Sequence, residues 1–333
     1  MNLATSGAIE SYHRMKLSGE ERDVMAALTL QGEVTVKTVA QNLRLKEHRV
    51  RYILDKVVSQ GWCYFYPIIN PHRLGYLECN LFIELQTGGA NARQKLLHAL
   101  REHHATKTFG VLGGEYQFEV VVWLKGIQDL ASFFNSLSDR CPDISYRIDF
   151  VLLGKAFYLP ANFLEPQHKA TTLVWYGPTQ QPPFELDSID QEILEGLSQS
   201  AFTGSRNLAK AKKIPESTVT YRLNKLKGEG VIVCLGYMVD HLKVGLTLTT
   251  VLIKTKRPSQ RLTEQLLDFA TKDGSVGFLV ECYGAWDYQL GVLLFDQTRL
   301  SSVIDRLQEA LGSQVDRIRP VPSFETVSVQ LAK

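Results

Sequence analysis

The sequence predicts an α+β protein built twice to one plan: a helix-turn-helix unit followed by a ferredoxin-like βαββαβ unit. Three observations predict it. Two short windows hold most of the excess positive charge, the chain matches itself at an offset of 169–170 residues, and in each copy the apolar spacing changes from a helical to a strand-like period just after one glycine, Gly61 or Gly230.

Composition sets the outer limits. The chain has 333 residues, 44% hydrophobic and 22% charged, the profile of a globular protein rather than a disordered or coiled-coil one. No apolar run approaches the roughly 20 residues that span a bilayer, so no membrane partner is expected. Residues 1–16 lack the apolar core of a signal peptide. Five scattered cysteines, none in a CxxC, fit a reduced cytoplasmic setting without a disulfide framework or structural zinc. The net charge of +2 is unevenly placed. Residues 35–60 hold Lys37, Arg44, Lys46, Arg49, Arg51 and Lys56 against Glu47 and Asp55; residues 204–229 hold Arg206, Lys210, Lys212, Lys213, Arg222, Lys225 and Lys227 against Glu216 and Glu229. Such clusters point to a polyanion, although two solvated helical faces would look the same.

The two windows are equivalent positions of the repeat. At an offset of 169, Leu17 matches Leu186, Ala40 matches Ala209, and Glu47, Val50, Tyr52, Leu54, Lys56 and Gly61 match Glu216, Val219, Tyr221, Leu223, Lys225 and Gly230. After one slip the offset is 170, and Gly75, Gly114, Val122, Leu124 and Leu137 meet Gly245, Gly284, Val292, Leu294 and Leu307.

The elements follow in order. Ser18 and Glu21 have capping-box spacing ahead of Val24, Met25 and Leu28; Ser188 and Gln191 have it ahead of Ile193, Leu194 and Leu197. A second short helix is expected near Val36–Asn42 and Arg206–Lys212. A third carries the buried stripe Val50, Leu54, Val57, or Val219, Leu223, Leu226 after Pro215. β-Branched and aromatic runs then predict strands at Trp62–Ile69 and Val231–Val239. The second module reads strand (Leu77–Leu85; Leu246–Ile253), helix (Ala92–His103; Gln260–Thr271), hairpin (Thr108–Val111 with Phe118–Leu124; Val276–Cys282 with Tyr288–Phe295), helix and closing strand (Ser145–Leu153; Asp316–Pro322). One face of such a sheet lacks helices and is expected to be covered by the sheet of the other copy. The expected organisation is 17–70 and 186–240 for the helix-turn-helix units, 71–159 and 241–333 for the sheet units, and 160–185 for a Pro-rich linker whose Leu173, Val174, Trp175 and Tyr176 dock on a neighbour.

Opposite the buried stripes, the third helices offer His48, Arg49, Arg51 and Tyr52 in copy one and Ser217, Thr218, Thr220 and Tyr221 in copy two. Arginine can grip guanine with two hydrogen bonds, and Ser or Thr can bond several bases or a phosphate. Lys56 and Lys225, one turn on, and Arg206 and Lys213 are candidate phosphate contacts on double-stranded DNA.

The runs Leu186–Leu194, Ser217–Leu226 and Gly230-Val231-Ile232, with the turn Gly284-Ala285-Trp286-Asp287-Tyr288, resemble the Lrp/AsnC (feast/famine) transcription regulators. The resemblance covers both copies and is sharper in the second. It implies a winged helix-turn-helix joined to a ligand-sensing RAM domain of ferredoxin-like fold, RAM sheets paired as a pseudo-dimer, homo-oligomers formed through RAM domains, and a small effector, usually an amino acid, near a Gly-x-x-Asp turn. Carried over by position, that turn is Gly284, Trp286 and Asp287 in copy two, and Gly114 with Gln117 in copy one. Gln117 replaces the acidic residue, and Ile53 stands where copy two has the family's third-helix arginine, Arg222. The bare chemistry of these turns is also met by a hairpin that needs glycine for its backbone. The sequence shows no P-loop, GxSxG, HExxH or metal-ligand spacing, so no cofactor, metal or catalytic residue is expected. Two other readings remain. Sirohaem decarboxylases share this architecture, but a His/Arg cluster expected near the hairpin is missing from Val276–Phe295. The other is a sensor or partner-binding protein without DNA binding.

Overall fold

The computed structural model describes residues 17–29, 35–86, 89–164, 173–198 and 205–328. In half one, α1 (Gly19–Leu28), α2 (Val36–Leu43) and α3 (Glu47–Ser59) form the first head, followed by β1 (Cys63–Ile69). Then come β2 (Leu77–Leu85), α4 (Ala90–Glu102), β3 (Thr106–Leu112), β4 (Phe118–Leu124), α5 (Ile127–Arg140) and β5 (Tyr146–Tyr158), with a short β6 (Val174–Tyr176) from the linker. Half two repeats the order with α6 (Ser188–Ser198), α7 (Ser205–Lys212), α8 (Glu216–Gly228), β7 (Ile232–Val239), β8 (Thr247–Thr255), α9 (Gln260–Lys272), β9 (Val276–Gly284), β10 (Tyr288–Leu294), α10 (Leu300–Leu311) and β11 (Val315–Ser328).

Local chemistry explains the heads. Ser18 caps α1 through the expected box, its backbone N–H bonding the Glu21 carboxylate at 2.8 Å. In α6 the box lies one residue earlier than Ser188 and Gln191 suggested: Asp187 is the cap, and it accepts the Asp190 N–H at 2.9 Å. A carboxylate at that position satisfies the same orphan donor that a serine would. The turns into the third helices pass through left-handed residues at equivalent places, Arg44 (φ 55°) and Lys213 (φ 57°).

Each copy's four strands make the expected antiparallel sheet, β5-β2-β4-β3 and β11-β8-β10-β9, with its two helices on one face. The sheets do more than lie face to face. Their edges bond to each other, β3 to β11 and β9 to β5, so the eight strands close into a barrel and β6 extends β5 outside it. Closure leaves neither sheet an open edge. The seams follow the repeat: Leu153 pairs with Cys282, and its equivalent Ser323 pairs with Leu112. The helix faces carry two apolar cores, one around Leu81, Phe118 and Phe133 and one around Ile253, Leu266 and Leu307. Burying one such Leu or Phe side chain is worth about 1.5–3 kcal/mol.

Strand β1 pairs with β7 in an antiparallel ribbon, Tyr66 facing Gly236, and this ribbon crosses the heads over. The core of head one (Val24, Met25, Val50, Ile53, Val57) runs on into Val239, Val244 and Leu246 of half two. That of head two (Ile193, Leu197, Val219, Leu226) runs on into Ile69 and Trp123 of half one. Each head is therefore held by the opposite half. No helix among the described residues is long and apolar enough to cross a membrane.

Candidate nucleic-acid interface

Both third helices lie on the outside of their heads, buried stripe inward. In α3 the stripe is Val50, Ile53 and Val57, with Leu54 half-buried, so Ile53 takes the deep position assigned to Leu54. In α8 it is Val219, Leu223 and Leu226. The opposite face of α3 shows His48, Arg49, Arg51 and Tyr52 to solvent; that of α8 shows Ser217, Thr220, Tyr221 and Lys225, with Thr218 half-buried. Tyr52 and Tyr221, at equivalent positions, are 59% and 65% exposed. Asn224, also exposed on α8, belongs to the same face and was not singled out from sequence.

Salt links divide these residues into tied and free. Arg49 pairs with Glu20 at 2.8 Å and stacks over Tyr52. Lys56 does not extend outward as a phosphate contact would: it turns back to Glu21 at 2.5 Å and lies over Trp62. Burial would raise the Glu21 carboxyl, but hydrogen bonds from Lys56 and Ser18 outweigh it and hold it below the ordinary range. His48 and Arg51 form no ion pair among the described residues.

In head two, Arg222 is bound by Asp187 at 2.5 Å and by the buried Asp190 at 3.3 Å, so the family's arginine clamps α8 to the start of α6 instead of facing out. The backbone N–H of Asp190 and the Arg222 guanidinium together hold the Asp187 carboxyl below its usual value. Arg206 reaches Glu216 at 3.4 Å and stays 86% exposed. Lys225 lies over the Phe184 ring, and Lys213 is exposed on its left-handed turn.

The two Gly turns sit at one end of the barrel. Gly284 has φ 145°, and a Cβ there would meet the Phe150 carbonyl oxygen at 2.4 Å; Gly114 has φ 88°. Gln117 Oε1 accepts the Leu85 N–H at 2.6 Å, and Asp287 Oδ2 accepts the equivalent Thr255 N–H at 2.8 Å. The aligned side chains thus perform one structural task, closing the hairpin onto the neighbouring strand. The remaining oxygen of Asp287 is held by Lys254 Nζ at 2.8 Å.

Strand register adds what the hairpin sequence lacked. Alternation places Arg317 and Arg319 of β11 on one face, and both stack on the buried Trp286, at 5.2 and 5.3 Å. Arg319 also lies over Tyr116 and pairs with Glu115, while the Tyr116 hydroxyl donates to Asp149. Burial and the Asp149 carboxylate push the Tyr116 hydroxyl up to about 12. The only signal in the sequence was the spacing Arg317-x-Arg319, which means nothing until a strand is known to run there.

No protein-family model matches the chain. An uncharacterised HTH-type transcriptional regulator of Pyrococcus abyssi is 30% identical over 148 residues, 44% of this chain and 97% of its own. The DNA-binding transcriptional activator DecR of Escherichia coli is 29% identical over 132 residues, 39% of this chain and 87% of its own. Each of these relatives therefore has about the length of one copy. Among solved structures, the sirohaem decarboxylase NirDL superposes over 94% of both chains with a TM-score of 0.56 at 12% identity, a likeness of fold.

Proposed function

Because the chain belongs to the HTH-type transcriptional regulators and carries the Lrp/AsnC pattern twice, we propose that it regulates transcription by reading double-stranded DNA with two unlike heads held by one barrel. The observation that carries this reading is the outward placement of α3 and α8 on heads joined about the β1–β7 ribbon. A symmetric dimer reads a palindrome because operator symmetry mirrors protein symmetry. Here the equivalent reading positions hold Arg49 and Arg51 on one head and Thr218 and Thr220 on the other.

In this reading His48 and Arg51 meet base edges from head one, and Ser217, Thr220 and Tyr221 from head two. Arg206, Lys213 and Lys225 meet phosphates. Arg49 reaches DNA once Glu20 releases it. Selection of bound duplexes from a random pool tests the proposal: unlike half-sites about one helical turn apart are expected, and recovery of perfect palindromes by single chains would overturn it. An amino-acid effector would take its place at the Gly284 turn, its ammonium group displacing Lys254 from Asp287; Gln117 offers no such charge. Calorimetric titration with amino acids should show binding that Asp287→Asn abolishes.

A further inference from the structure

We infer that the two halves are keyed to each other along both seams of the barrel, half two supplying an aromatic knob and half one a glycine hole, so that the barrel closes as an unlike pair.

At the β3–β11 seam a Cβ on Gly113 would lie 2.7 Å from the Phe324 ring. At the β5–β9 seam a Cβ on Gly154 would lie 2.9 Å from the Tyr283 ring. The repeat offset of 170 makes Gly113 equivalent to Tyr283 and Gly154 equivalent to Phe324. Half one is thus glycine at both places and half two aromatic at both. Neither glycine has the left-handed backbone that would itself call for glycine. The space above each is taken by the ring, and covering a strand glycine with a cross-strand aromatic is a known sheet-stabilising device. It also accounts for two large rings, each 58% exposed, on the barrel's outer surface.

Pairing like with like would spoil both seams. Two copies of half one would set glycine against glycine and lose both ring contacts. Two copies of half two would set Tyr283 against Phe324 where one ring fits. Charge at the shared end follows the same rule. Half one brings Glu84, Glu115 and Asp149; the aligned residues of half two are Lys254, Ala285 and Arg319. Arg147 of half one already pairs with Glu84 and Glu115, and Arg319 adds a link to Glu115 across the two halves; two copies of half one would lack Arg319 and two copies of half two would lack Glu115, so no like pair keeps that link. This rule holds whatever the heads bind.

Thermal unfolding of full-length variants tests it. Tyr283→Gly with Phe324→Gly, all holes, is expected to lower Tm by about 4 °C, and Gly113→Tyr with Gly154→Tyr, all knobs, by more. The chain carrying all four changes restores knob against hole with the halves' roles exchanged. Its Tm is expected within about 2 °C of the parent, far above the sum of the two losses. If the all-knob chain does not fold, the remaining pair decides: the four-change chain must melt above the all-hole chain. Losses that simply add, or a four-change chain no better than the all-hole one, would overturn the inference.

Discussion

The two heads share one scaffold and solve the same joint differently. Both must tie the third helix to the start of the first. Head one fills the deep position with Ile53 and makes the tie at the rim, Glu21 to Lys56 and Glu20 to Arg49. Head two places Arg222 at the equivalent position and drives it against Asp187 and the buried Asp190. Apolar filling leaves head one's arginines near the surface, whereas head two spends its arginine on the joint and shows hydroxyls. The difference teaches that a family motif residue can be kept for the scaffold while the reading face diverges around it.

The largest effect expected from this comparison is at the buried tie. Arg222→Ala strands the Asp190 carboxylate in the core and should lower Tm by about 5 °C, while Arg222→Ile with Asp190→Leu, which puts head one's isoleucine at the joint and removes the buried carboxylate with it, should recover most of it. Differential scanning calorimetry checks both. Next comes reading: Arg51→Ala should weaken a duplex carrying the head-one half-site by about 1–3 kcal/mol while Thr220→Ala leaves that half-site unchanged, as fluorescence anisotropy would show. Equal losses on both half-sites would remove the asymmetry claimed for the heads.

A smaller effect concerns acid. The Glu21 carboxyl is held below its ordinary 4.5, so the stability it contributes is present above that value and is lost as pH falls through the lowered one. Glu21→Gln should cost about 1 kcal/mol at neutral pH through the cap and flatten the acid limb of a Tm-against-pH curve for head one. The smallest effect is Lys225→Ala, which should lower the slope of log K against log salt by about one and leave sequence preference alone. An unchanged slope would place Lys225 on Phe184 as a packing residue only.

Much of the fold was legible because repetition supplied each element twice. A short strand in one copy, such as Thr108–Val111, is matched by its longer partner Val276–Cys282. The third-helix faces were legible from their apolar stripes, and among the expected reading residues only Thr218 is half-buried. Less visible were the ties. Nothing local says that Lys56 turns inward to Glu21, 35 residues away, or that Lys254 occupies Asp287, because side-chain direction follows from neighbours brought by packing. The capping box of α6 was misplaced by one residue because Asp187 and Ser188 can both cap and only the helix start decides.

By itself the sequence determined the doubled plan, the order of elements and the faces that avoid water, since these follow from local spacing and from the cost of exposing apolar surface. Only the tertiary structure decided that the sheets share edges, that each head rests on the opposite half, and that Gly113 lies beneath Phe324 and Arg319 between Tyr116 and Trp286. Apart from Arg319 on Trp286, most of those contacts join residues more than 100 positions apart. Their energy depends on strand register across a closed barrel, and no local pattern encodes that register.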